Sequence, residues 1–208
     1  MARTADDILP IELPLADGEQ RERADAQRNR LKVLSAAEKL FACHGVDNVS
    51  MDAIAAEAGV GKGTLFRRFG DRAGLALALL QEHTARLQEG IIRGPAPLGP
   101  GAPPKERLAA MARAQLALLD EHHALMAAAD TGPAGARFSK APYVFLRVHA
   151  MMLIREADPD ADAEMIADLL LTPLSADGFY YWRTVRGFDV ERIAAAFDLL
   201  VERLLNAA

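Results

Sequence analysis

Between Ser50 and Phe69 the chain divides into two short helical segments around one glycine, and that division leaves few folds open. Ser50 offers a hydroxyl to cap the orphan amides of a helix start, and Asp52 puts a negative charge in the first turn, where the helix dipole favours it. Ile54, Ala55 and Ala58 give this segment one apolar side, and Gly59 can take the left-handed backbone of a sharp turn. The next segment runs from about Lys62 to Phe69. Leu65 and Phe69 lie one turn apart on its buried side, which leaves Lys62, Arg67 and Arg68 to solvent.

A small residue where two helices cross (Ala55), a glycine at the turn, an apolar anchor after it (Val60) and exposed polar groups on the second helix (Lys62, Thr64, Arg67, Arg68) are the parts of a helix-turn-helix. In that device the first helix braces the second so that its N-terminal side chains reach base edges in the major groove. The fragment GVGKGT could also suggest a phosphate-binding loop. Lys62 is followed by Gly63 instead of Ser or Thr, and no strand precedes it, so a nucleotide site is not expected.

The rest of the chain reads as helix. Leu31, Leu34, Ala37 and Phe41 recur at three- and four-residue steps and predict an amphipathic helix from about Asp25 to His44. Asp71 begins a long helix through Leu75, Leu79 and Leu80. The stretch from Gly94 to Pro104 is too rich in proline and glycine for regular structure. Further helices are expected near 105–120, 122–129, 141–156, 161–183 with a break at Pro173, and 189–206. No segment alternates strictly between apolar and polar, so the fold class is all-α. Residues 1–24, with Pro10, Pro14, Gly18 and scattered acids, read as a flexible acidic tail. Residues 25–73 then form the helix-turn-helix domain, and 74–208 a larger helical domain.

The net charge of −5 argues at first against a nucleic-acid partner, because binding DNA means neutralising phosphates. The distribution reverses that reading. Residues 1–20 carry one base against five acids, residues 21–73 ten bases against seven acids, and the remainder thirteen against seventeen. The basic stretch is the one that holds the helix-turn-helix. Cys43 has no partner for an internal disulfide, the N-terminus has acids and prolines where an export signal needs bases and an apolar run, and no apolar run is long enough to span a bilayer. A cytoplasmic location is expected.

The order and spacing of SMDAIAAEAGVGKGTLFRRFGDRAGL, from Ser50 to Leu75, closely resemble the DNA-binding signature of TetR-family regulators, a likeness covering roughly residues 28–80. The resemblance implies a homodimer on palindromic operator DNA, with Ser50 holding a phosphate. Lys62, Gly63 and Thr64 would open the recognition helix, Lys62 toward base edges and Thr64 toward a phosphate or base. Arg67 joins the DNA-binding set. Phe66 stands where the family usually has a tyrosine whose hydroxyl meets a phosphate and keeps only the apolar part of that contact. Arg68 stands where it usually has a histidine and could replace a hydrogen bond with a charged one, so the exact phosphate contacts should differ.

The same resemblance implies that the second domain binds a small-molecule effector and dimerises through its last two helices. Ile166, Leu170, Leu174, Ile193, Phe197, Leu200 and Leu204 form apolar stripes suited to a dimer interface or to ordinary core. Met111, Leu118, His122, Met126, Phe145, His149, Met152, Tyr180 and Trp182 are candidates to line a pocket for a largely apolar effector. His122 and His123 are adjacent on one helix and point to different faces, so neither a metal nor another cofactor is expected. No Ser-His-Asp set, paired carboxylates or cofactor loop supports an enzyme. A ligand-released repressor leads, with a DNA-binding protein whose second domain only dimerises or binds a protein as the alternative.

Overall fold

The structure is a computed structural model that describes residues 17–129, 133 and 135–205, with helices α1 Asp17–His44, α2 Met51–Ala58, α3 Lys62–Phe69, α4 Arg72–Arg93, α5 Pro104–Ala129, α6 Ala141–Ala157, α7 Ala163–Leu171, α8 Ala176–Tyr180 and α9 Val190–Leu204. Among the described residues there is no strand, and no helix is long and apolar enough to cross a membrane.

Two hydrophobic cores divide the chain. The smaller is built from Val33, Leu34, Ala37 and Phe41 of α1, Ile54 and Ala55 of α2, Leu65 and Phe69 of α3, and Leu75, Ala76, Ala78 and Leu79 of α4. The larger gathers Ile91 from the far end of α4 with α5, α6, α7, α8 and α9 around residues such as Leu116, Leu119, Leu153, Ile154, Phe179 and Phe197. The division expected at residue 73 therefore falls inside shared packing, because α4 contributes its first half to one core and its last turns to the other. Leu125 crosses as well. It lies on α5, yet it is buried in the smaller core.

Helix α1 begins at Asp17, so the expected tail is helical from that residue on, while residues 1–16 lie outside the described residues. After Asp17 and Gly18, the extra turns are made of Glu, Gln, Arg and Ala, which favour helix without needing a buried face and so show no apolar period. Gly45, with φ of 77°, ends α1 as expected and donates its amide to the Phe41 carbonyl at 2.8 Å.

The helices expected near 105–120 and 122–129 are one element, α5, bent at His122, whose φ of −129° and ψ of 19° leave the helical region. Near Pro173 the chain does break, and Ser175 restarts it as α8 by accepting the Gly178 amide at 3.1 Å. A π-helical turn over Tyr181–Val185 follows.

Candidate nucleic-acid interface and ligand cavity

The Ser50 hydroxyl oxygen accepts from the Ala53 amide at 3.1 Å, capping α2 and leaving the hydroxyl hydrogen free to donate outward. Gly59 closes α2 in the left-handed conformation, φ 64° and ψ 35°. Ile54 and Leu65 meet in the core at 0% and 1% exposure, which fixes α3 against α2. Lys62, Gly63, Thr64, Phe66, Arg67 and Arg68 are all exposed on α3. Apart from Ser50 at the start of α2, the residues expected to face DNA thus share one short helix, whose opposite side holds Leu65 and Phe69.

Some of these side chains already have partners within the chain. Lys62 Nζ sits 2.7 Å from Asp52 Oδ2 on α2 and 5.9 Å from the centre of the Phe66 ring. Both members of that ion pair are exposed, so exchanging the carboxylate for DNA costs little. Arg68 donates to the Ala26 carbonyl of α1 at 2.8 Å, which gives it a bracing role absent from the sequence reading. Arg72 reaches Asp47 Oδ1 at 3.0 Å in the turn after α1. At the start of α4, Asp71 caps the Gly74 amide at 2.8 Å, and a Cβ on Gly74 would stand 2.1 Å from the Phe69 carbonyl oxygen. Only glycine allows α4 to pass that close to the end of α3.

A cavity of about 570 Å3 opens in the larger part of the molecule. Leu77, Leu80, Gln81, Thr84, Leu87 and Gln88 of α4 form one wall, and Gln115, Leu118 and Met126 of α5 another. Arg137, Lys140, Tyr143 and Leu146 close it together with Leu171, Leu174, Ser175 and Ala176. The Tyr143 hydroxyl donates to Asp168 Oδ1 at 2.8 Å, and Arg147 engages the same carboxylate through Nε and Nη2 at 2.8 and 3.2 Å. The Arg147 hydrogen bonds, helped by that of Tyr143, hold the Asp168 carboxyl below the usual aspartate range. Burial, then its bond to Asp168, pushes the Tyr143 phenol up.

Residues 33–79 match the family model for bacterial regulatory proteins of the tetR family. An HTH-type transcriptional regulator of Staphylococcus aureus (strain USA300) is 46% identical over 59 residues, a stretch that is 28% of this chain and 32% of that protein, so the chain spans about a third of that curated relative. A TetR-like transcriptional regulator from Rhodococcus sp. RHA1 superposes with a TM-score of 0.57 at 25% identity, over 94% of this chain and 100% of that one. Residues 33–79 thus carry a DNA-binding domain of the TetR type, in a chain with the fold of TetR-like regulators. A second solved regulator, from Saccharomonospora viridis in complex with choline, has the same fold with a TM-score of 0.66 at 22% identity, over 85% of this chain and 96% of that one. All three of these similar proteins are described as transcriptional regulators.

Of the pocket residues expected from the sequence, Leu118 and Met126 line the cavity. Met111 is packed in the larger core, and Trp182 lies edge-on to Phe197 with ring centres 6.0 Å apart. Phe145 packs against the same core, parallel to the His149 ring at 6.2 Å. His149 Nε2 lies 3.5 Å from Arg107, and burial with that neighbouring charge pushes its imidazole below the ordinary value. Met152 and Tyr180 face solvent, 50% and 53% exposed. His122 is buried against His83 of α4 with ring centres 3.8 Å apart, and burial, then His83, lowers its pKa. The wall supplied by α4 and the polar Tyr143 went unread, because nothing in α4 distinguishes a leucine facing a cavity from one facing a core.

The expected interface residues divide similarly. Leu170, Leu174, Ile193 and Phe197 are buried in the chain's own core, Ile166 and Leu204 are half-buried, and Leu200 is 41% exposed. The apolar side chains that α7 and α9 leave most open are Met165, Leu169 and Leu199. Both stripes are wide enough to serve two neighbours, and the side turned inward is the one most regular in the sequence.

Proposed function

We propose that this chain is a cytoplasmic DNA-binding repressor that sits on a palindromic operator as a homodimer and leaves it when a small, largely apolar effector occupies the cavity. The observation that carries this reading is α4. It starts one turn beyond α3, where Gly74 presses against Phe69, and its next turns form a wall of the cavity. A ligand that displaces this wall displaces α3 with it, and the spacing of two recognition helices decides whether a dimer fits its two half-sites.

On this reading Lys62 and Thr64 face the base edges, with Gly63 leaving room for close approach. Ser50, Arg67 and Arg68 hold phosphates, and Phe66 contributes apolar contact. The exposed apolar residues of α7 and α9, Leu169, Leu199 and Leu200 with Ile166 and Leu204, face the partner subunit. The cavity's leucines suit an apolar body, and the cations Arg137 and Lys140 among its walls favour an acidic end. The same cations oppose a quaternary ammonium like the choline of the Saccharomonospora viridis structure.

The test is binding of the tag-free protein to labelled DNA flanking its own gene, repeated with a series of straight-chain carboxylates and the matching alcohols. Saturable binding to an inverted repeat, reversed by the carboxylates at lower concentration than by the alcohols, is the expected result. A folded dimer that binds no inverted repeat there would overturn the repressor reading. A complex that none of the compounds releases would overturn the ligand class.

A further inference from the structure

His122 finds its partner on another helix. Glu38 of α1, His83 of α4 and His122 at the bend of α5 each bring one donor atom to a common point, all within 4.8 Å of one another. The two imidazole rings are stacked, their planes 26° apart, and both Nε2 atoms are buried without a hydrogen-bond partner. Glu38 Oε1 stands only 3.1 Å from His83 Nε2, yet it accepts no hydrogen bond from it. A carboxylate close to a ring nitrogen but off its axis is what a metal site produces, because the ion takes the place on the axis.

Two orphaned buried nitrogens on touching rings are otherwise costly, since each gives up hydration and gains nothing. We propose that Glu38, His83 and His122 bind a divalent transition-metal ion of the zinc, cobalt or nickel class and that the ion clamps α1 to α4 and α5. Imidazole donors select these ions over calcium or magnesium, which demand oxygen cages. Glu121, exposed and with Oε2 3.6 Å from His122 Nε2, lies outside this trio, so solvent would complete the coordination. The site joins the smaller core to the bend that delivers Leu125 into it, so occupancy stiffens the junction between the two cores.

The experiment uses the full chain without a purification tag, stripped with a chelator and titrated with Co2+. One equivalent per chain should give visible ligand-field absorption that Zn2+ abolishes, with a rise in Tm of about 5 to 10 °C at a hundredfold excess over Kd. His83→Asn, His122→Asn and Glu38→Gln should each weaken binding at least tenfold, whereas His44→Ala and His123→Ala should leave it unchanged. Glu38 is partly exposed, so Glu38→Gln keeps the test available if a buried histidine variant fails to fold. Absent cobalt absorption, or binding that Glu38→Gln leaves intact, would overturn the site. Joint titration of the two rings as a proton-sharing pair, with no metal affinity, would overturn it equally.

Discussion

The smaller core and the larger one are both helical, yet they hold their positions by different means. In the smaller, each step is set within a few residues: Ser50 caps, Gly59 turns, Leu65 buries, Asp71 caps again and Gly74 lets the next helix pass. In the larger, the cavity walls come from α4, α5, α6 and the segments on both sides of Pro173, which are far apart in the chain. Local rules fix α3, and only long-range packing makes the cavity. On the proposed function, a surface that must present the same side chains to DNA in every state gains from local determination, whereas a cavity that has to deform gains from being held by many distant contacts.

If that contrast is right, the largest effect should come from Leu65→Ala. It should cost about 2 to 5 kcal/mol and remove DNA binding, while the larger part retains its helical signal and ligand binding in denaturation followed by circular dichroism. Equal loss in both parts would mean that the cores stand or fall together. Gly74→Ala comes next, because its Cβ meets backbone and not a movable side chain. A loss of about 1 to 3 kcal/mol in urea unfolding, with weakened operator binding, is expected.

Lys62→Ala sharpens the contrast from the other side. Operator affinity, measured by fluorescence anisotropy, should fall roughly tenfold or more, while stability changes by less than about 0.5 kcal/mol. The smallest effect belongs to the larger part's surface. Asp168→Asn should cost under about 1 kcal/mol at neutral pH, since the carboxylate and Arg147 are partly exposed. The carboxyl's folded pKa is depressed, so its contribution is complete above the ordinary aspartate value near ~3.9 and is lost as pH falls through the folded value. Urea unfolding of both proteins from neutral pH down to about 3 should therefore show their difference closing only at the acid end.

The same asymmetry governs what could be read from sequence. The helix-turn-helix was legible because Ser50, Gly59, Leu65 and Asp71 each have one conformational use at their spacing. Arg68 was legible as a cation near DNA but not as a brace, because its acceptor is the carbonyl of Ala26 on another helix. The first turns of α1 carry helix propensity without periodicity, so no apolar pattern marks them. In the larger part the helices were legible, but Met152, Tyr180 and Trp182 suggest a pocket by residue type alone, while Leu77 and Thr84, unremarkable in type, form the cavity wall. The bend at His122 has no proline or glycine to announce it.

Leu125 bears on how portable the DNA-reading half can be. Cutting the chain after α4, or grafting residues 17–93 onto a foreign sensor, would leave an empty place in the smaller core where that leucine sits. A working chimera would have to bring its own plug. Transplanting specificity should be easier by exchanging the outward side chains of α3 than by exchanging the module, since the module's core is completed by a residue from outside it.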